Sequence, residues 1–226
     1  MKTTNGPNLW LPTVLFFCAA LWATLSRAFS IAMQTASVQS PTAFDSVSWH
    51  AHESQFGYLT AAVAGFLLTA VPNWTGWPPT VGWWLGGLVA LWLAGRLAIA
   101  FSLHLPAVAV ALLDLAMSAA FGAVIAREIF AGRNCRNLIV LAMLLALAVG
   151  NAVFYWEAAQ GDHAARGYGL RIGLSPGLMM IAVIGGRIVP SFTRNWLVKG
   201  EAGNPPASPM QRLDKIALLL LLGALV

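Results

Sequence analysis

The sequence predicts an all-α, polytopic transmembrane helical bundle with six full spans and a truncated seventh helix. The chain of 226 residues is 58% hydrophobic and only 9% charged, and its mean hydropathy is +0.72. A soluble domain carries about 25% charged residues. This composition excludes an ordinary soluble enzyme, a disordered chain and a nucleic-acid-binding protein. Cys18 and Cys135 are isolated cysteines that form no CxxC motif and no disulfide framework.

Six apolar runs have about the 20 residues that a helix needs to cross roughly 30 Å of hydrocarbon. They are Leu9–Leu25, a run ending at Val71, Trp83–Phe101, Pro106–Ile125, Leu138–Trp156 and Leu170–Val189. The first run has 17 residues and exceeds the apolar core of a cleaved signal peptide, so we interpret it as a span. Pro72 is expected to end the second span, because proline lacks the N–H that continues a helix.

The last apolar run, Ile216–Val226, would extend only about 17 Å as a helix, which is too short to cross a bilayer. We therefore expect the chain to stop inside a seventh helix, as a truncated gene or a fragment would. Residues 1–198 are predicted to form the six-helix bundle. Residues 199–226 are predicted to form a cytoplasmic linker, rich in proline over Lys199–Gln211, and the start of a second, truncated bundle.

The distribution of cations predicts the orientation of the spans. With the N-terminus in the cytoplasm, nine Lys and Arg residues lie on the inner side and four on the outer side. Topology therefore accounts for the net charge of +5 without an acidic partner. This orientation places all four histidines, His50, His52, His104 and His163, at the outer side.

The second span begins with a polar motif. Counting 20 residues back from Val71 reaches His52, so the segment Trp49–Glu53 forms the first turn, with Asp45, Ser46 and Ser48 as candidate N-caps. Neutral imidazole ligates both iron and copper. We therefore predict an outward-facing metal or haem site that uses His50, His52 and Glu53, with His104 as a further metal ligand.

An alternative for the same motif is a polar helix cap at the level of the lipid headgroups. On an ideal helix His50 and Glu53 share a face, whereas His52 points about 200° away from His50. Two histidine ligands to one metal would thus need a distorted first turn. Otherwise one histidine ligates, and the other forms a hydrogen bond or faces a neighbouring helix.

Two charged residues are predicted to lie inside the bundle. Arg96 precedes the end of the third span, and Asp114 follows the start of the fourth at a similar depth. The short turn between these spans makes them antiparallel neighbours, so an ion pair between the two side chains is expected. The alternative is that Arg96 holds a haem propionate.

The segment from Trp49 to the C-terminus resembles the NnrS family of bacterial membrane proteins linked to nitric oxide. The matching blocks are Trp49–Glu53 (WHAHE), Phe56-Gly57, Ala64–Gly76 (AGFLLTAVPNWTG), Ile184–Leu197 (IGGRIVPSFTRNWL) and Arg212–Lys215. The chain differs from the family in three respects. Leu9–Phe17 lacks a Gly-Phe-Arg-Pro-Phe-Phe-like pattern, Tyr155 stands where relatives commonly have histidine, and the chain stops halfway. A phenol that forms a hydrogen bond, level with His50 and His52, is expected at Tyr155.

The resemblance implies a haem- and copper-associated protein of the bacterial inner membrane that binds nitric oxide or acts in nitric oxide response or detoxification. His50 and His52 would then be ligands, Glu53 would orient them, and Arg96 would contact a haem propionate. The expected partners are the lipid bilayer, nitric oxide as a small-molecule ligand and the missing second bundle, with no nucleic acid. Two alternatives remain: a transporter-like protein without redox chemistry, with Asp114 and Pro176 as its intramembrane features, and a non-functional half of a larger protein.

Overall fold

The computed structural model describes residues 10–35, 40–76, 78–133, 135–161, 163–199 and 212–225, and these residues form helices and turns without a β-strand. The helices are α1 (Trp10–Gln34), α2 (Ser46–Thr75), α3 (Trp83–Ala100), α4 (Ala107–Ala131), α5 (Leu138–Ala159), α6 (Tyr168–Lys199) and α7 (Arg212–Leu225). Six of them, α1 to α6, are long and apolar enough to cross a membrane. The predicted all-α bundle with six spans is confirmed. The seventh helix is shorter.

Helix α1 continues well beyond the predicted end of the first span at Leu25. The hydroxyl groups that follow do not interrupt the helix, because they form hydrogen bonds within it. Ser26 donates to the carbonyl of Ala23 at 3.4 Å, and Ser30 accepts a hydrogen bond from Gln34 at 3.2 Å. A hydroxyl group that forms a hydrogen bond within its own helix needs no water as a partner. The length of the apolar run therefore predicted a helix that was too short.

The expectation that Pro72 ends the second span is wrong. Helix α2 passes through Pro72 and ends at Thr75, where Gly76 adopts a left-handed conformation with φ of 70°. Side chains satisfy carbonyl groups of the last turns. Asn73 donates to the carbonyl of Thr69 at 2.9 Å, and Thr75 donates to that of Val71 at 2.9 Å. These bonds support the helical turn that follows Pro72.

The chain divides into two compact units, Met1–Gly173 and Leu174–Val226. In the first unit α3 packs on α4, α1 on α2, and α4 on α5. In the second unit α6 continues through Pro176 and Pro190, and Ser175 donates a hydrogen bond to the carbonyl of Leu225 at 3.3 Å. The predicted linker falls mostly on residues 200–211, which lie outside the described residues.

Three glycines allow α5 and the first turns of α6 to approach each other at backbone distance. A Cβ atom on Gly150 would lie 2.5 Å from the nitrogen and 2.8 Å from the Cα of Gly173, and 2.9 Å from the carbonyl oxygen of Gly169. These are backbone atoms, which cannot move without shifting a helix. The crossing therefore depends on the missing side chain at position 150.

Replacing Gly150 by alanine should lower the free energy of unfolding by about 1–3 kcal/mol, the cost of overpacking a tight contact. Thermal unfolding in detergent micelles measures the change. The matched control is Gly86→Ala in α3, where a new Cβ meets nothing within 4 Å. A Gly150→Ala protein as stable as the Gly86→Ala protein would show that this crossing is not tight.

Candidate functional site

The polar motif of the second span lies near the start of α2 but about one turn later than predicted, because the helix begins at Ser46 and includes the candidate caps Ser46 and Ser48. Asp45 is the N-cap, and its Oδ1 accepts hydrogen bonds from the backbone N–H groups of Val47 and Ser48, both at 3.0 Å. Partial burial acts to raise the pKa of Asp45, but the hydrogen bonds from Ser48 and Val47 outweigh it and hold the pKa below its usual value. This cap fixes where α2 begins.

The predicted ion pair between Arg96 and Asp114 is confirmed, and Glu53 extends it. Arg96 Nη1 donates to both carboxylate oxygens of Glu53, at 2.8 and 2.9 Å, and Nη2 donates to Asp114 Oδ1. Arg96 is 1% exposed, Glu53 0% and Asp114 3%. One buried guanidinium thus joins carboxylates from the two helices on either side of α3 in the chain, α2 and α4.

A local irregularity of α2 brings Glu53 to Arg96. Residues Glu53–Tyr58 form a π-helix, a wider turn that recurs at functional sites. Gly57 lies within it. A Cβ atom on Gly57 would lie 2.7 Å from Glu53 Oε2 and would overlap Arg96 Nη1, so only glycine leaves room for the ion pair. The distorted turn that the sequence analysis considered lies after His52, not before it.

His52 is fully buried and is enclosed by oxygen atoms at both ring nitrogens. Its Nδ1 lies 3.3 Å from Glu53 Oε1, and its Nε2 lies 3.0 Å from Asn151 Oδ1 and 3.3 Å from Asp114 Oδ2. Aromatic rings pack around the imidazole at centroid distances of 4.9 to 6.3 Å; they belong to Phe44, Phe56, Phe154 and Tyr155. Polar partners at both ring nitrogens and the surrounding aromatic rings therefore fix the position of the His52 imidazole.

Helix α5 contributes two further groups. Asn151 donates from Nδ2 to Asp114 Oδ2 at 2.7 Å, and the Tyr155 hydroxyl donates to the same oxygen at 3.2 Å. The expected hydrogen bond of Tyr155 is confirmed. We call the six residues His52, Glu53, Arg96, Asp114, Asn151 and Tyr155 the polar network.

Asn151 and Trp22 were not predicted from the sequence as members of this site. The Trp22 indole N–H of α1 donates to Glu53 Oε2. Asn151 had a signal, because it is an amide in the middle of an otherwise apolar run. Trp22 had none, since tryptophan is common in membrane spans.

A short strap covers the polar network at the end of the bundle. The strap, Ser40–Asp45, is tied to the turn after α3. Ser102 Oγ lies 3.0 Å from Thr42 Oγ1 and accepts a hydrogen bond from the N–H of Ala43 at 2.9 Å. Phe44 then stacks on His52, with ring planes 18° apart. The strap helps to exclude water from the network.

The other histidines lie apart from His52. His50 is half-buried, and its Nδ1 is a buried atom without a hydrogen-bond partner among the described residues. His104 is exposed in a turn of 3₁₀-helix. His163 is exposed, with Nδ1 3.7 Å from Asp45 Oδ2. The described part of the chain contains no group of three or more His, Cys, Asp or Glu side chains arranged to hold a metal ion.

The haem and copper that the resemblance implies require a ring nitrogen with a free lone pair. Both nitrogens of His52 already have oxygen partners, so His52 offers no such atom in this arrangement. His50 does, because its Nδ1 has no hydrogen bond to lose. The residues present therefore fit a single histidine ligand at position 50, with His52 in a supporting position. The prediction that both histidines ligate remains untested.

Comparison with protein families gives one result. A family model described as NnrS protein matches residues 13–226, which includes all the blocks quoted above and extends towards the N-terminus. Neither the curated proteins nor the solved structures give a significant match.

Proposed function

This chain belongs to the NnrS family, and from that premise we propose that it is a haem- and copper-associated protein of the bacterial inner membrane that binds nitric oxide in nitric oxide response or detoxification. Its six span-length apolar helices make it a multi-pass membrane protein. In the proposed orientation the N-terminus lies in the cytoplasm and the polar network lies near the outer surface. The proposed partners are the lipid bilayer and nitric oxide.

The unpaired Nδ1 of His50 is the observation that carries the cofactor proposal. It is a buried nitrogen with no partner among the described residues, and it lies two residues from a network that holds α2 in place. An unsatisfied buried polar atom costs about 1–3 kcal/mol, so a ligand at His50 would offset a cost that the protein alone bears. His50 would be the ligand.

Haem held at His50 would supply direct binding of nitric oxide. The chain's own contribution is to orient His50. Glu53 and His52 are bound to α3, α4 and α5 through Arg96, Asp114 and Asn151, so the first turns of α2 cannot rotate freely. This preorganisation would keep the His50 ring in one position.

The proposed contact of Arg96 with a haem propionate needs a free donor. Nη1 and Nη2 already serve Glu53 and Asp114, and Nε is the guanidinium nitrogen without a partner in the described part of the chain. A propionate would therefore have to approach Nε.

The transporter-like alternative expects an interrupted helix, but α6 is continuous through Pro176.

Single substitutions of the two histidines test the cofactor proposal. The protein is expressed with added haem and copper, purified, and examined for its haem absorbance band and its copper content per chain. His50→Ala should abolish the haem band or the bound copper while leaving thermal unfolding nearly unchanged. His52→Asn should keep the cofactor and lower the free energy of unfolding by about 1–3 kcal/mol, because it leaves buried groups unpaired.

His163→Ala is the matched control, since His163 is exposed and should affect neither quantity. Wild-type protein that retains neither haem nor copper would contradict the proposal. Full cofactor content in a His50→Ala, His52→Ala double variant would place the site elsewhere, with His104 and His163 as the next candidates.

A further inference from the structure

Helix α4 carries a second buried carboxyl group, Glu128, which the polar network does not use. The inward-facing stripe of α4 has a carboxyl group near each end, Asp114 and Glu128, with exposed fractions of 3% and 2%. The two residues are 14 positions apart, which is about 21 Å along a helix. Met117, Phe121 and Ile125 fill the stripe between them. The two carboxyl groups therefore occupy separate sites on one face.

The surroundings of the two carboxyl groups, Asp114 and Glu128, differ. Asp114 is bound to Arg96, Asn151 and Tyr155, so its charge is compensated. Glu128 Oε1 accepts a hydrogen bond from the Thr80 hydroxyl at 2.7 Å, and Oε2 is a buried atom without a partner among the described residues. No cation in the described ranges forms an ion pair with Glu128.

The elements around Glu128 supply little charge. The adjacent Arg127 on α4 is exposed. The loop between α2 and α3 supplies Thr80, and the end of α2 supplies Thr75, which packs directly against Gly132 at the end of α4. Thr80 and Thr75 are uncharged. A carboxylate at position 128 would thus be a buried anion whose hydrogen-bond donors among the described residues come from Thr80 alone, with Oε2 left unpartnered.

Such an anion is costly, because a charge removed from water without a partner loses its solvation and gains nothing that replaces it. Ca²⁺ or Mg²⁺ could compensate it but takes six or more oxygen ligands, and Zn²⁺ sites use histidine and cysteine, whereas the described residues supply one carboxyl and one hydroxyl group here. A proton needs only one oxygen atom. We propose that Glu128 and Thr80 form a proton-binding site, in which Glu128 carries a proton on Oε2 at neutral pH and Thr80 donates to Oε1.

Proton exchange at this site is simple chemistry: the carboxylic acid releases its proton to water and becomes a carboxylate, and the reverse step restores it. The site lies at the end of α4 opposite to Asp114, on the predicted cytoplasmic side. The apolar side chains of the stripe separate it from the polar network. The site is therefore independent of any cofactor at His50 and of the proposed nitric oxide role.

Infrared spectroscopy of the full chain in detergent tests the proposal, because a protonated carboxylic acid has a carbonyl band that a carboxylate lacks. At neutral pH the wild-type protein should show this band, and Glu128→Gln should remove it. Thr80→Val should keep the band but move it to higher frequency, because the carbonyl oxygen loses its hydrogen bond. Raising the pH should convert the band to carboxylate absorption.

Glu157→Gln is the matched control. Glu157 is a second carboxyl group with hydrogen-bond donors at both oxygens, the backbone N–H groups of Tyr168 at 2.7 Å and Gly169 at 3.1 Å, and its replacement should leave the acid band in place. If Glu128→Gln fails to fold, wild-type protein and Thr80→Val labelled with ¹³C at the glutamate carboxyl carbon decide, because the band must shift with the label and must lie at higher frequency in Thr80→Val. No acid band at neutral pH, or a band that the label does not shift, would overturn the proposal.

Discussion

Replacing Arg96 by methionine should lower the free energy of unfolding by about 3–5 kcal/mol, which makes it one of the two most damaging single substitutions that we expect in this chain. Methionine fills a similar volume but leaves the carboxylates of Glu53 and Asp114 buried without their shared cation. Asp114 keeps the amide of Asn151, the hydroxyl of Tyr155 and the imidazole of His52 at 3.3 Å, but this one ring would then be shared by two carboxylates and does not replace the guanidinium that bonds to both. Thermal or denaturant unfolding in detergent measures the loss.

Two further variants identify the cause. Arg166→Met removes an exposed arginine and should change the stability by no more than about 0.5 kcal/mol, as surface substitutions do. Adding Glu53→Gln and Asp114→Asn to Arg96→Met should recover part of the loss, because no unpaired anion then remains. If the triple variant is less stable than Arg96→Met, uncompensated charge is not the cause.

Replacing Gly57 by alanine should lower the free energy of unfolding by about 3 kcal/mol, the upper range for overpacking a well-packed interior. The added methyl group would occupy the space between Arg96 Nη1 and Glu53 Oε2. The guanidinium cannot move aside without losing its hydrogen bonds, because it is 1% exposed and bound on both sides. The same unfolding measurement applies.

The control is Gly122→Ala in α4, where a Cβ atom meets nothing within 4 Å. Alanine should be neutral there or stabilise the helix by up to about 1 kcal/mol. Gly57→Ala and Arg96→Met should also be non-additive, since both break the same ion pair. Additive losses in the double variant would mean that Gly57 acts through a different contact.

The polar network joins four helices of the first unit, α2 to α5, and Trp22 adds α1. Glu53 receives Trp22 from α1 and Arg96 from α3, and Asp114 receives Arg96 again together with Asn151 and Tyr155 from α5. Water cannot compete for these groups where they are buried. In lipid, no hydrophobic effect drives helices together, and interhelical hydrogen bonds help to hold them in contact. We therefore expect the polar network to determine the arrangement of these helices.

The sequence alone determined the features that depend on composition and on neighbouring residues. The length of the apolar runs predicted six spans. The predicted first residues of α3 and α5, Trp83 and Leu138, are those of the structure. Asp45 was one of three candidate caps, because an oxygen-bearing side chain before an apolar run can satisfy free N–H groups. The pair of Arg96 and Asp114 followed from one short turn, which fixes which helices are adjacent.

Only the tertiary structure decided how those helices meet. The place of Glu53 opposite Arg96 depends on a π-helix and on Gly57, and neither has a periodicity that a sequence pattern reveals. The different roles of His50 and His52 were left open by the sequence, because they depend on Asn151 from α5, which is 99 residues from His52. Hydrogen bonds between residues so far apart in the sequence depend on how the helices pack, because each side chain meets its partner only after the helices have assembled.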